Sequence, residues 1–348
     1  MLLRRTIFAA LLAPAAATTR AARAALIALT PLALTGLTTL AAGTAQAQST
    51  DAATYPNKPI RFIVSFPAGS ATDQASRLVA QQITRLMGHT IVVDNRGGAS
   101  GFMAAEAAAK APADGYTVLM TTGTTHAANP ALFRKLPYDP VKDFVPVTAI
   151  TNNAFILVVA PNFPANSVAD LARMTRANPG KYSFASANAP SRIGGEMFKM
   201  MNQTDMLHVP YKGSPQALTD VIAGQVSVMW TDLRTGFPLV QSGRLKALAV
   251  TGKSRIPQMP NLPTMIEQGF PDYELANWIG AYLPAGTPPE IVTKLHGMIH
   301  AAVKSDIAAH EASGSEVYLT SPVEFAQLQA RDTAMWARVV KAAGMIPE

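Results

Sequence analysis

Hydrophobic positions in this chain fall into short runs and into three-and-four-spaced faces that take turns along the sequence. Ile60-Arg61-Phe62-Ile63-Val64-Ser65-Phe66 has the length and content of a buried strand, closed by Pro67 and Gly69. From Asp73 to Met87 the apolar residues Ala75, Leu78, Val79, Ile83 and Leu86 recur mostly at the spacing of one helix face. Thr90–Val93 and Tyr116–Met120 predict two more strands, separated by an Ala-rich helix that ends at Lys110. After Phe144 the alternation continues. Strands are expected at Val147–Ile150, Phe155–Ala160, Tyr182–Ala185, Met206–Val209, Val226–Trp230, Leu245–Val250 and Leu275–Leu283. Helices are expected at Val168–Ala177, Gly195–Met201, Gln216–Ile222, Pro289–Ser305 and Pro322–Ala343. Strands alternating with helices build parallel βαβ units. The pattern therefore predicts an α/β fold of two lobes, each an open, mostly parallel sheet flanked by helices, with a cleft beyond the strand ends.

The first 47 residues stand outside this pattern. Arg4, Arg5, Arg20 and Arg23 precede an Ala-, Leu- and Thr-rich run from Ala24 to Ala42, and Ala45-Gln46-Ala47 follows. A basic region, an apolar run and a small-x-small motif are the three parts of a secretory signal peptide. A membrane anchor needs about 20 uninterrupted apolar residues; here Pro31, Gly36 and several Thr interrupt the run. Cleavage after Ala47 and export to the periplasm are the expectation, and Arg4-Arg5 also resembles the start of a twin-arginine signal.

Export changes the charge argument. The full chain carries +7, with four of its 29 basic residues and none of its 22 acidic ones in residues 1–47. The remainder holds 25 against 22, a net +3. No basic run with interleaved aromatics remains, so nucleic acid is not an expected partner. The chain has no cysteine, which excludes thiol nucleophiles and thiolate metal sites.

Several segments together carry a family resemblance: Tyr55-Pro56-Asn57-Lys58-Pro59-Ile60-Arg61, Phe66-Pro67-Ala68-Gly69-Ser70-Ala71-Thr72-Asp73, Val92-Val93-Asp94-Asn95-Arg96-Gly97-Gly98-Ala99 and Ala113-Asp114-Gly115-Tyr116-Thr117. Leu136-Pro137-Tyr138-Asp139-Pro140, His208-Val209-Pro210-Tyr211-Lys212-Gly213 and the C-terminal Val339–Glu348 extend it. From Tyr55 to Glu348 the chain resembles the Bug family, the solute receptors of tripartite tricarboxylate transporters. The resemblance implies a periplasmic-binding-protein (Venus-flytrap) fold, with residues 55–150 and 275–348 as lobe 1 and residues 151–274 as lobe 2. It implies a small organic acid, a carboxylate, held between the lobes and delivered to a membrane transporter, with no catalysis, cofactor or metal. Expected partners are the permease subunits of such a transporter or a sensor kinase, the receptor itself being a monomer.

Candidate site residues follow from the loops that end the strands. Phe66 to Thr72 joins a strand to a helix, so helix N–H groups without internal partners face the cleft. Ala68, Gly69, Ser70 and Ala71 are small enough for a ligand oxygen to approach the backbone, Gly69 most of all, and Ser70 and Thr72 add hydroxyls. The same residues also read as a tight turn in which Thr72 or Asp73 caps the helix. Asp73 is read as structural, because a carboxylate beside a bound anion would repel it. Thr122, Thr124, Thr125 and His126 follow the third strand and offer neutral donors. The second lobe contributes Ser186, Asn188, Ser191 and Arg192, from a loop shorter and poorer in Gly than the family's common form. Arg192 is its candidate bidentate carboxylate partner. Tyr211, Lys212 and Gly213 end one further strand and Asp232 another, where the family often has Asp then Asn at positions 231 and 232. Trp230 and Trp278 read as core aromatics or as cleft walls.

Enzyme signatures are missing. There is no G-x-S-x-G, H-E-x-x-H or G-x-G-x-x-G. Gly252-Lys253-Ser254 lacks the first P-loop glycine, since position 247 is Ala247. His296 and His300 lie four apart on a predicted helix with no third ligand evident. An α/β hydrolase or transferase is left as the enzyme-class alternative. The signal-peptide reading has a direct check: intact mass of periplasmic protein is expected to correspond to a chain starting at Gln48, and a mass that includes residues 1–47 contradicts it.

Overall fold

The computed structural model describes residues 53–348 with the exception of Asp272; the expected signal peptide lies outside the described residues. The chain begins with β1 (Ile60–Val64), α1 (Ala71–Met87), β2 (Ile91–Asn95), α2 (Phe102–Ala109), β3 (Thr117–Thr122) and the short α3 (Asn129–Leu132). The long β4 (Phe144–Val159) leads to α4 (Val168–Ala177), β5 (Ser183–Ser186), α5 (Ala189–Asn202), β6 (Leu207–Pro210), α6 (Ser214–Ile222), β7 (Val228–Asp232), α7 (Leu233–Gln241) and β8 (Lys246–Val250). The chain closes with β9 (Ala276–Pro284), α8 (Pro289–Lys304), α9 (Ile307–Ala312), β10 (Glu316–Val317) and α10 (Pro322–Ala342).

Local chemistry sets the ends of these helices. Ser70 caps α1 by accepting from the Asp73 amide, and Gly88 closes it in the left-handed region at φ 71°. Asn188 with Ser191 on α5, and Ser321 with Glu324 on α10, form reciprocal capping boxes. The α7 helix is absent from the sequence expectation, because Gly236 and Pro238 interrupt its pattern.

The strands follow one path, β2-β1-β3-β9-β4-β7-β5-β6, with β8 and β10 also paired to β4. Each end of the path is parallel, β1 with β2 and β3, and β5 with β6 and β7. The centre is antiparallel, where β9 joins β3 to β4 and β4 joins β7. Two lobes of α/β structure thus share the strand β4. Its first part, Phe144 to Ala154, pairs with β9, and its last part, Phe155 to Val159, pairs with β7.

Here the structure corrects the sequence expectation of two separate strands. Thr151, Asn152 and Asn153 look like a polar break, yet their backbones stay in register with Ile279, Trp278 and Asn277 of β9. Thr151 and Asn153 are buried and Asn152 between them is half-buried, so their polarity marks no turn.

Apolar side chains fill both faces of each lobe. Val64, Ile83 and Leu295 belong to one cluster between α1, β1 and α8, and Phe184, Phe198 and Trp230 to another around α5. The α10 helix belongs to both lobes, with Phe325 and Leu328 in one core and Trp336 and Val340 in the other. Trp230 and Trp278 are buried in these cores. Gly280 on β9 faces the α10 helix so closely that an added Cβ would lie 2.3 Å from Phe325 Cζ and 3.0 Å from the Thr148 carbonyl oxygen. Gly280→Ala is expected to destabilise the protein by about 1–3 kcal/mol, the usual cost of overpacking. Urea unfolding checks this, and an unchanged midpoint would contradict the packing.

Candidate functional site

A narrow cavity lies over the antiparallel centre of the sheet. Its floor is a row of side chains across four strands: Thr122 of β3, Ile279 and Asn277 of β9, Asn153 and Phe155 of β4, and Asp232 of β7. Backbone register makes the row continuous, since Thr122 pairs with Ile279, Asn277 with Asn153, and Phe155 with Asp232. Phe66, Ser70, Ala71 and Thr72 cover it from the start of α1, and Asn188 and Ser214 from the starts of α5 and α6, the two covers meeting where Gly213 packs against Pro67.

The start of α1 points donors at the cavity. The Ser70 amide bonds the Pro67 carbonyl and the Gly69 amide bonds Asp73 Oδ2, which leaves the Ala71 and Thr72 amides at the open helix start. Ser70 Oγ accepts from the Asp73 amide, and Thr122 Oγ1 accepts from the Thr124 amide. Each hydroxyl keeps its own proton for a ligand. Among the described residues no cationic side chain lines the cavity, and Asp232 is the ionisable group there. Backbone and hydroxyl dipoles of this kind are fixed in place and suit an anion.

Asp73 stands behind this cradle. Its carboxylate accepts from the Gly69 amide at 2.9 Å, from Arg77 Nε at 2.9 Å and from Asn95 Nδ2 at 2.9 Å. Burial alone would raise its pKa, but the hydrogen bonds from Arg77, Gly69 and Asn95 outweigh it and hold the carboxyl below its ordinary 3.8. The group is thereby kept charged and occupied, with its oxygens turned to the loop and not to the ligand space.

The structure brings seven of the sequence-selected residues to the cavity: Phe66, Ser70, Ala71, Thr72, Thr122, Asn188 and Asp232. Others it places elsewhere. Ala68 and Gly69 are exposed on the loop. Gly69, at φ 80°, serves the turn, and its amide is already used by Asp73. The expectation that Gly69 admits the ligand to the backbone is corrected accordingly.

Thr124, Thr125 and His126 lie fully buried behind the wall. Thr124 Oγ1 accepts from the Ala189 amide of α5 at 3.4 Å, a contact between the lobes, and Thr125 Oγ1 shares hydrogen bonds with Thr121 and His126. His126 stacks on Tyr282 at 4.0 Å, and burial pushes its pKa down to about 3. A neutral ring sealed among aromatics does not meet a ligand, which corrects its expected role as a donor.

Arg192, Ser186 and Tyr211 line a neighbouring cavity that includes Glu348 and touches the main one at Asn188. Arg192 Nη1 pairs with Glu348 Oε1 at 2.7 Å, so its guanidinium is held by a protein carboxylate. Ser191 caps α5, Lys212 is exposed, and Gly213 packs against Pro67, where an added Cβ would come within 2.8 Å. His296 and His300 both reach the Thr320 carbonyl from α8. Asn153, Phe155, Ser214, Asn277 and Ile279 are cavity residues that the sequence reading missed. The polar Thr151-Asn152-Asn153 inside apolar β4 was the available signal for the first of these.

The chain matches the sequence profile of the tripartite tricarboxylate transporter family receptors over residues 75–345. Protein BugT of Bordetella pertussis is 32% identical over 318 residues, covering 90% of this chain and 97% of that protein. Among solved structures, an R. palustris protein with adipate is 36% identical with a TM-score of 0.82, covering 84% of this chain and all of that one. The periplasmic binding protein BugD is 31% identical with a TM-score of 0.81, at 84% and 100% coverage.

The buttress behind the cradle has a pH signature. A carboxyl with a depressed folded pKa contributes stability above its unfolded pKa and loses it as pH falls through the folded value. Asp73→Asn is therefore expected to melt below wild type at pH 7, with the gap closing as the pH drops below 3.8. Melting curves across that range check it, and a gap that persists unchanged would assign Asp73 a purely steric role.

Proposed function

This chain belongs to the tripartite tricarboxylate transporter family of receptors, and from that premise we propose that its cavity captures a small organic carboxylate for delivery to the permease subunits of such a transporter. It is a solute receptor, not an enzyme. Among the described residues no helix is long and apolar enough to cross a membrane. A periplasmic receptor is the family's form, reached here by cleavage after Ala47. The lobes we assign are residues 55–150 with 275–348, and residues 151–274.

One observation carries the ligand class. The Ala71 and Thr72 amides, with the hydroxyls of Ser70, Thr72 and Thr122, converge on one end of the cavity without a cation among them. That arrangement suits a carboxylate held by neutral donors. Hydrogen bonds to a charged group contribute roughly 1.5–3 kcal/mol each, and micromolar affinity needs about −8 kcal/mol. Four or five such bonds at the upper end give about 12–15 kcal/mol, which reaches that range after an association cost of about 4 kcal/mol. The adipate held by the R. palustris structure gives the precedent of a carboxylate ligand in a protein of this fold.

A thermal-shift screen of the mature protein against mono-, di- and tricarboxylates, starting from adipate, tests the reading. An acid at about a hundredfold excess over its Kd stabilises by about 2.7 kcal/mol. With the best acid, Thr72→Val is expected to weaken binding by about 1.5–3 kcal/mol, while Arg192→Ala leaves it within about 0.5 kcal/mol. Binding that survives Thr72→Val and collapses with Arg192→Ala would move recognition to the guanidinium and overturn the cradle.

A further inference from the structure

The far end of the cavity adds acceptors, and among the described residues no cation lines it. Asp232 lies there, buried, at the end of β7. Its Oδ1 accepts from the Thr235 amide and hydroxyl, and its Oδ2 accepts from Ser214 Oγ at 3.2 Å. A carboxylate accepts about four hydrogen bonds, so Oδ2 keeps a lone pair for the cavity that it lines. Asn153 lies beside it on the floor, buried, with its Nδ2 donating to Thr151 Oγ1 at 3.1 Å. Asn153 Oδ1 is buried and has no hydrogen-bond partner among the described residues. Buried acceptors in folded proteins are satisfied in nearly every case. Asn153 and Asp232 both line this cavity.

The two ends are set apart by the sheet. Thr122 on β3 and Asp232 on β7 are separated by three strand spacings, roughly 14 Å between backbones. Ile279, Phe155 and Phe66 supply apolar wall between them. A ligand that fills the cavity thus meets donors at the α1 end, an apolar middle, and at the other end the Asp232 and Asn153 acceptors beside Ser214 at the start of α6.

We infer that the ligand is an organic acid whose end opposite the carboxylate is a hydrogen-bond donor, a hydroxyl or an amine, received by Asp232 Oδ2 and Asn153 Oδ1. The inference rests on the carboxylate reading of the cavity and narrows it. A second carboxylate on the ligand would lie against that of Asp232, and like charges at such a distance repel most where water is excluded. Asp232 is thus the residue that selects against dicarboxylates. An Asn in its place would accept the Thr235 amide equally well, cap α7 as before, and remove the charge.

Matched acids of four to six carbons test this by calorimetry: each dicarboxylate, adipate among them, against the ω-hydroxy and ω-amino monocarboxylate of the same length. Wild type is expected to bind the best donor-bearing acid at least tenfold tighter than its dicarboxylate counterpart. Asp232→Asn is expected to shrink that ratio at least tenfold or invert it. Asn153→Ala is expected to weaken the donor-bearing acids and leave the dicarboxylates unchanged, and it serves as the second variant if Asp232→Asn lowers the apo melting temperature. Dicarboxylates binding as tightly as their counterparts to wild type, or a preference that neither variant alters, overturns the inference and leaves the carboxylate reading standing. Failure of every acid in the panel to bind wild type overturns both.

Discussion

The antiparallel pairing of β4 with β9 is the constraint on which the rest of the molecule depends. Over Phe144 to Ala154 these strands stay paired through two register shifts, and β4 then continues into the second lobe without a break. A strand shared in this way ties the orientation of each lobe to the other at the level of backbone hydrogen bonds. The cavity floor is built on the same pair, so its side chains are placed by the element that joins the lobes. Recognition and lobe arrangement therefore draw on one set of hydrogen bonds.

The α10 helix reinforces this coupling from the other side. Phe325 and Leu328 pack into one core and Trp336 and Val340 into the next. Trp278 of β9 donates to Asp332 of α10 at 3.0 Å, and burial raises the Asp332 carboxyl above its ordinary value despite that bond. Tyr282 of β9 reaches Gln329 in the same helix. Gly280 allows the helix to lie close against the strand, because any side chain there would meet the Phe325 ring.

In the proposed reading the cavity is an anion site whose lining, among the described residues, holds no cation. The amides and hydroxyls at the start of α1 take that role, and Asp73 locks the turn that presents them. Arg192, the side chain with the right chemistry for a carboxylate, is engaged by Glu348 one cavity away. The sequence offered both Arg192 and the Phe66–Thr72 loop, and the Glu348 contact of Arg192 favours the loop at the start of α1.

Local pattern by itself determined much of this protein. The alternation of runs and helical faces gave α/β lobes, and the Phe66–Thr72 segment declared a strand-to-helix turn because its residues are small and cap-forming. The motif set from Tyr55 to Glu348 carried the family. Only the tertiary structure decided that Thr151 to Asn153 continue a strand, that Asn277 and Ser214 join Thr72 at one cavity, and that His126 is sealed behind it. The reason is that a cavity floor crosses strands. Its neighbours, Thr122, Ile279, Asn153, Phe155 and Asp232, are set by sheet register between segments more than a hundred residues apart in places, and periodicity within any one segment carries no record of that register.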